Sequence, residues 1–224
     1  MIQHHCTSQE LLAFGSGKTT AGDSVAISAH LEFCVLCANK LRQLEAQVAQ
    51  DWDQLSPEAV VVREDPAPIL DSILSTPLPD LPDAPVAVSN RSKMEVGEQQ
   101  FDVPAVLGRL VESGLKWRKL PGGVRLAKVK LDNQNICSFL YMQPGGKVGM
   151  HTHEGKETTL VIGGSFFDAE GEYREGDFIQ RGEDDNHTSL SKEGCLCFTV
   201  QDNPVVFTKG LSRLFNPISR RLMS

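Results

Sequence analysis

The stretch GGKVGMHTHEGKETTLVIGG, residues 145–164, decides the fold of the second half of this chain. His151 and His153 alternate in it, so on a strand both side chains point to the same face. Glu157 follows on the next turn or strand. A fourth ligand has to come from another strand, and His187, in the spacing Gly176-x10-His187, supplies it. Three imidazoles and one carboxylate suit zinc, iron, manganese or nickel, and the sequence does not choose among these metals.

The residues around this stretch predict an all-β architecture. Short apolar or alternating runs are separated by turn residues such as Pro144-Gly145-Gly146 and Gly163-Gly164. Many short strands with glycine turns favour a sandwich or a barrel such as a jelly roll. The predicted strands cover residues 124–131, 136–142, 158–162, 177–180 and 196–200.

A second set of ligand residues lies in the first half of the chain, in the pattern His30-x3-Cys34-x2-Cys37. On one continuous helix these positions share a face, so the three side chains can converge on one ion. Tetrahedral zinc then needs a fourth ligand, for which His4 and His5 both qualify. The alternative is that the two cysteines are buried apolar residues in a helix seam. Thiolate-rich sites that close at four ligands are usually structural, whereas His/carboxylate sites can leave a position open.

The first part of the chain has a helical pattern. Thr7-x-x-Glu10 predicts a capping box, and a longer helix is predicted from Asp23 or Ser24 to about Gln50. Asp65-Pro66 can open a third, shorter helix. Four prolines between residues 76 and 85 then predict a semi-rigid linker. We therefore expect a helical domain over 1–75, a Pro-rich linker over 76–92 and a β domain over 93–224, each domain with its own core.

Composition excludes several classes of function. The 224 residues carry a net charge of −7, with a pI near 5.4, which argues against direct nucleic-acid binding and suits a basic protein partner. No apolar run approaches the ~20 residues that a membrane span needs, and the N-terminus lacks a signal-peptide pattern. We therefore expect a cytoplasmic protein. The sequence leaves its oligomeric state open.

Six cysteines could make three disulfides, but cytosolic thiols stay reduced, and metal binding is the better interpretation for Cys34 and Cys37, the two with ligand spacing. Cys6 is a weaker candidate than the neighbouring histidines for the first ligand set. Cys137 is expected in the core. Cys195 and Cys197 share one face of a predicted strand, where they are either inert buried residues or, if exposed near a metal, responsive to oxidants.

Both ligand sets resemble motifs of known families. His30 followed by Cys34-x-x-Cys37 resembles the zinc-binding anti-sigma family, and Gly145-x5-His151-x-His153-x3-Glu157-x6-Gly164 with Gly176-x10-His187 resembles the two cupin motifs. Together they resemble the ChrR family of anti-sigma factors. This resemblance implies a zinc-binding helical bundle followed by a cupin (jelly-roll β-barrel) domain. It assigns zinc to His5, His30, Cys34 and Cys37, and a divalent metal to His151, His153, Glu157 and His187.

The same resemblance implies a regulator with no catalytic residues. The bundle would sequester an extracytoplasmic-function (Group IV) sigma factor, and the cupin domain would be needed for release under oxidative stress such as singlet oxygen. A competing interpretation is a metal-dependent cupin enzyme, of the dioxygenase type, whose helical part only dimerises it. A third is a simple metal-storage protein.

Overall fold

The computed structural model describes residues 1–53, 65–77, 91–183 and 185–208. Four helices are followed by a curled antiparallel β domain, with one more helix after its first hairpin, which confirms the predicted fold class. The helices are α1 Ser8–Gly15, α2 Ala21–Phe33, α3 Val35–Asp53, α4 Ala67–Ser75 and α5 Ala105–Glu112. The strands are β1 Ser92–Val96, β2 Gln99–Val103, β3 Trp117–Leu120, β4 Val124–Val129, β5 Ile136–Met142, β6 Lys147–Thr152, β7 Glu157–Phe167, β8 Glu172–Arg174, β9 Phe178–Arg181, β10 His187–Leu190, β11 Cys195–Gln201 and β12 Val206–Phe207.

The large sheet curls so that its two faces become the inside and the outside of a barrel. Its strand order is β12-β6-β10-β7-β11-β5-β4-β3, and β8 and β9 also pair with the long β7. All of these pairs are antiparallel. β1 and β2 form a separate hairpin. The predicted strands at 136–142 and 196–200 correspond to β5 and β11.

The prediction of one helix from Asp23 or Ser24 to about Gln50 is wrong, because the chain breaks at Cys34 into α2 and α3, with a bend of 118° between them. Cys34 has an extended backbone, φ −114° and ψ 97°, and its N–H still donates to the His30 carbonyl of α2. Its Sγ also accepts the N–H of Cys37 at 3.4 Å. Cys34 therefore ends one helix and caps the next, in the manner of a side-chain N-cap.

Helix starts elsewhere follow local chemistry. The Thr7–Glu10 capping box predicted for α1 is present. At α4, the Asp65 carboxylate accepts the N–H of Ala67 at 3.0 Å. The start of α5 is capped from a distance, since Glu32 of α2 accepts the N–H groups of Ala105 and Val106. That cap ties the helical part to the β part.

The expectation of one core for each part does not hold for the described residues. A single apolar cluster contains Leu11, Ile27 and Leu41 of the helices together with Phe139 and Phe198 of the barrel. α2 lies against β7 and β11, which pair with each other. A second, smaller cluster, including Val161 and Met142, lies wholly in the β domain. The predicted linker over 76–92 falls mostly on residues 78–90, outside the described residues.

No single helix in the described part of the chain is long and apolar enough to cross a membrane. The bent pair of α2 and α3 meets the criterion of length and composition only when both helices are taken together. α2 itself buries Ala26, Ile27 and Ala29 in the shared core.

The close approach of α2 to the barrel depends on Gly22. A Cβ at this position would lie 2.7 Å from both Cys137 Sγ and Val200 Cγ1. We predict that Gly22→Val lowers the free energy of unfolding by about 1–3 kcal/mol, because overpacking forces helix and sheet apart. Urea denaturation measures this, with Ala21→Val, an exposed position on the same helix, as the matched control. Equal stability of the two variants would contradict the shared core.

Candidate metal centres

The structure brings His5, His30, Cys34 and Cys37 together, with one ligand atom of each within 4.8 Å of the others. His5 Nδ1 lies 3.3 Å from Cys34 Sγ and 3.7 Å from Cys37 Sγ. The four residues come from three segments: the chain before α1, the last turn of α2 with the break after it, and the first turn of α3. The helix break aims the two thiols at the histidines.

His4 takes no part in this group. Its ring packs on Tyr173 with centroids 4.8 Å apart, and its backbone is held by the barrel. Cys6 is buried but lies outside the group, and burial raises the pKa of its thiol. Of the two upstream histidines left open by the sequence, the described structure therefore brings only His5 to the cysteine pair, while Cys6 contacts Cys37 without joining the ligand group.

The tautomer of His30 fits a metal ligand. Its Nδ1 lies 2.8 Å from the Gly176 carbonyl, which can only accept, so Nδ1 carries the proton. Nε2 then has a lone pair, yet it is buried without a hydrogen-bond partner in the described structure. Burial lowers the pKa of His30, which keeps the ring neutral. A metal ion would satisfy this nitrogen, and the hydrogen bond to Gly176 is the outer contact that orients such a ligand.

The thiols also need a bound cation in order to ionise. Burial and the neighbouring Cys34 raise the pKa of Cys37 to about 11, so without a positive charge the thiol stays protonated. A bound zinc or similar ion deprotonates coordinating thiols outright. Two soft sulfur atoms beside two imidazole nitrogens form a donor set that fits a tetrahedral ion.

The second group, His151, His153, Glu157 and His187, meets the same 4.8 Å limit inside the barrel. His151 and His187 stand directly opposite each other on the paired strands β6 and β10. Glu157 opens β7, and its Oε2 lies 2.8 Å from His153 Nε2 and 3.9 Å from His187 Nε2. Among the described residues, His153 Nε2 nevertheless has no hydrogen-bond partner. The two atoms approach without hydrogen-bond geometry, as ligands of one shared ion would.

Backbone and amide groups orient this second group from outside. His151 Nδ1 donates to the Gly149 carbonyl at 2.7 Å, and His187 Nδ1 lies 3.3 Å from the Asp185 carbonyl. The Gln201 amide donates to Glu157 Oε1 at 2.5 Å. These contacts leave the Nε2 atoms of His151 and His187 free to bind a metal, as in other histidine sites.

The charge state of the second group also suits a divalent ion. Burial opposes the ionised form of Glu157, yet the three surrounding histidines hold its pKa down at about 2. Burial and the nearby His187 lower the pKa of His151 to about 4, and burial lowers that of His187. The Glu157 carboxylate and the neutral imidazoles of His151 and His187 are therefore present at neutral pH, in the protonation states that metal binding requires.

A cavity of about 530 Å³ adjoins the second group. Most of its wall is apolar, with Leu126, Leu140 and Phe166 among the lining residues. The Arg181 side chain, only 8% exposed, contacts the carboxylates of Asp168 and Glu170 and the hydroxyl of Tyr173. The positive charge of Arg181 in the cavity wall is therefore already neutralised by these carboxylates. Sequence reasoning missed the arginine cluster and Gln201, because neither stands in a motif.

A turn of the barrel between β8 and β9 joins the helical part to the β domain. Asp177 Oδ1 accepts the N–H groups of Gln3 and His4 at 2.7 and 3.0 Å, and its Oδ2 accepts the Arg174 N–H at 2.8 Å. The Phe178 N–H donates back to the His4 carbonyl. Asp177 thus holds the segment that leads into His5. No feature of the sequence marks this aspartate.

Cys195 and Cys197 are buried with their Sγ atoms 3.6 Å apart, and both thiols are free. Burial raises the pKa of Cys195 well above its ordinary value. Cys197 also lines the cavity beside the second ligand group. The alternative of exposed cysteines does not hold for this pair.

Comparisons with known proteins agree with both halves. Residues 111–204 match the family described as the ChrR cupin-like domain. The anti-sigma-E factor ChrR of Cereibacter sphaeroides is 27% identical over 226 residues, which cover 98% of this chain and 99% of that protein. These matches confirm the resemblance to ChrR-type anti-sigma factors.

A solved structure shows the same fold. A crystal structure of Rhodobacter sphaeroides SigE in complex with the anti-sigma ChrR matches with a TM-score of 0.70 and 23% identity, covering 90% of this chain and 100% of that chain. An RmlC-like cupin from Ralstonia eutropha JMP134 matches more weakly, with a TM-score of 0.39, 17% identity and coverage of 43% of this chain and 69% of that chain.

The Asp177 contacts generate a prediction for the first centre. Asp177→Asn removes one of two accepting oxygens and the charge, so the His5 segment should loosen by about 1–3 kcal/mol. We expect metal to leave the thiolate-containing centre several-fold faster, as followed with a chromogenic chelator. Asp102→Asn, an exposed aspartate on β2, is the control. Identical release rates in the two variants would show that Asp177 does not support the centre.

Proposed function

We propose that this chain is an anti-sigma factor that sequesters an extracytoplasmic-function sigma factor. The observation that carries the proposal is the likeness to the anti-sigma-E factor ChrR along 98% of the chain, since it spans both ligand groups. The match to ChrR as crystallised with SigE supports the same partner class. The action on a sigma factor implies a cytoplasmic location and agrees with the net charge of −7, which disfavours direct binding to DNA.

α4 offers a face for such a partner. Ile69, Leu70, Ile73 and Leu74 are 54–73% exposed and repeat at helical spacing along one side of the helix. Apolar side chains grouped in this way mark a protein-binding surface, and an amphipathic helix commonly docks in a partner's groove. We propose that this face covers part of the polymerase-binding surface of the sigma factor. The helical unit 1–75 would then hold the sigma factor, and the cupin unit 93–224 would sense the signal. The linker 76–92 would connect the two units.

In this proposal the first centre is structural zinc, held by His5, His30, Cys34 and Cys37. Its four ligands come from both sides of the α2–α3 break and from the segment before α1, so a closed tetrahedral ion fixes the angle between the helices. That is the usual role of a thiolate-rich site in a small helical unit. Zinc would therefore act on folding and partner binding, and no chemical step is assigned to it.

The second centre would hold zinc or another divalent metal through His151, His153, Glu157 and His187. We propose that a stress signal of the oxidative type acts on this barrel and lowers the affinity for the sigma factor. A useful coupling of this kind needs about 1–3 kcal/mol between the two states. The turn at Gly176 and Asp177 offers a direct route, because it contacts both the barrel strands and the residues of the first centre.

The cavity wall favours this regulatory role over catalysis. Among the described lining residues, the charged groups beyond the ligand quartet are Lys147 and the paired Asp168 and Arg181. Asp168 and Arg181 neutralise each other, so neither is available as an acid or base in the state described. Of the charged lining residues, this leaves the enzyme interpretation with Lys147 alone, a residue exposed to solvent, as a group to move protons.

A substitution on α4 tests the proposed docking face. Ile73→Glu places a charge in the centre of the apolar face, and we expect at least a tenfold loss of affinity for the cognate sigma factor, measured by biolayer interferometry. Ser72→Glu adds the same charge to an exposed neighbouring residue and should bind normally. Because both side chains are exposed, both variants should fold. Equal affinities would refute the assignment of this face.

Two further variants test the roles of the two metal centres separately. Cys37→Ser should remove zinc from the first centre and abolish sigma binding, while the second centre keeps its metal. His187→Ala should empty the second centre and leave sigma binding intact, but block release by an oxidant. Metal content by mass spectrometry and sigma co-purification measure both effects. Normal sigma binding by a folded, zinc-free Cys37→Ser protein would contradict the structural role of zinc.

A further inference from the structure

We infer that the barrel cavity binds a small amphipathic molecule with an apolar body and an α-hydroxycarboxylate-type head. This inference rests on the proposed metal at the second centre and names the ligand of that site. The cavity of about 530 Å³ has the size of pockets that hold small-molecule ligands. Its wall is mostly apolar, while His151, Glu157, His187 and Gln201 contribute polar atoms to the same space. A single ligand in this cavity has to match both the apolar wall and the polar atoms.

Some apolar side chains of the cavity wall are not fully packed by the protein itself. Leu140 and Val148 project from β5 and β6 toward the cavity and are only partly buried, although they contact the smaller core cluster. Leu126, Phe166 and Ile179 extend the same surface. This part of the wall gains dispersion contacts when an apolar molecule fills the cavity. A hydrocarbon body is therefore the part that the wall selects.

The charge of the metal site indicates that the head of the ligand carries a carboxylate. Because histidines bind a metal as neutral imidazoles, a divalent ion held by Glu157 and three of them leaves one positive charge uncompensated in a buried site. Arg181 in the same wall pairs with the buried Asp168 and with Glu170, whose side chain is 65% exposed, so the carboxylate left in excess lies in solvent and not beside the ion. A buried charge is costly unless it is paired. A single carboxylate, binding at a position that four protein ligands leave open on a five- or six-coordinate ion, would neutralise the site.

An unpaired hydrogen-bond acceptor, the Gln201 amide oxygen, indicates that the head of the ligand also carries a hydroxyl. Gln201 is 3% exposed and lines the cavity, and its Nε2 donates to Glu157 Oε1 at 2.5 Å. Because the ionised carboxylate can only accept, the amide cannot be flipped. Its Oε1 is therefore an acceptor, and it has no partner in the described structure. A hydroxyl next to the ligand's carboxylate would supply the missing donor beside the metal.

The test uses the full-length protein with the metal content of each centre measured first, followed by isothermal titration with α-hydroxydecanoate and with decanoate. We expect one α-hydroxydecanoate molecule per chain, and decanoate about three- to tenfold weaker for lack of one hydrogen bond. Leu140→Trp, which fills the cavity, should weaken binding at least tenfold. Leu190→Trp is the matched control, because Leu190 is 38% exposed on β10 and does not line the cavity.

Each result has a defined meaning. Should Leu140→Trp fail to fold, as judged by circular dichroism, Val148→Trp fills the same cavity from β6 and takes its place. Absence of binding to protein with a metal-loaded second centre would overturn the inference and leave the proposed function standing. Equal binding by Leu140→Trp and Leu190→Trp would mean surface association and would also overturn it. Equal affinity for decanoate and α-hydroxydecanoate would refute the role of Gln201. A second centre without metal would refute the head-group assignment together with the proposed metal.

Discussion

The hydrogen bond from the buried His30 Nδ1 to the Gly176 carbonyl is the contact on which the arrangement of this protein depends. It fixes the tautomer of a candidate zinc ligand in the helical part by means of a backbone atom in the barrel. The turn can approach so closely because residue 176 is glycine. A Cβ there would lie 2.6 Å from Ile2 Cδ1 and 3.1 Å from Phe33 Cβ, and the φ of +88° disfavours other residues.

The short strand β9 extends this contact toward the second centre. Phe178 packs its ring 5.5 Å from that of His30, the next residue, Ile179, lines the cavity, and Arg181 ends the strand in a buried ionic cluster. β9 also pairs with the start of β7, where Glu157 lies opposite Arg181. A change around the cavity would therefore reach the first centre through packed side chains, without passing through residues 78–90.

Much of the fold could be predicted because periodicity and turn chemistry are local properties. The strands β5 and β11 and the start of α4 at Pro66 follow from alternation, glycine turns and a capping pattern. The break at Cys34 could not be predicted, since a helical repeat continues through it and only the tertiary arrangement of its thiol and backbone favours two helices. Asp177 and Gln201 were missed for a related reason: their partners lie far away in the sequence.

By itself, the sequence determined the types and number of candidate ligands, because the spacing of histidine, cysteine and glutamate is written in the chain. It also determined the helical and all-β character of the two parts. Only the tertiary structure decided that His5, not His4, meets Cys34 and Cys37, and that one core joins both parts. These outcomes depend on long-range packing around the β8–β9 turn, and distances between remote residues are set by the whole fold and not by local spacing.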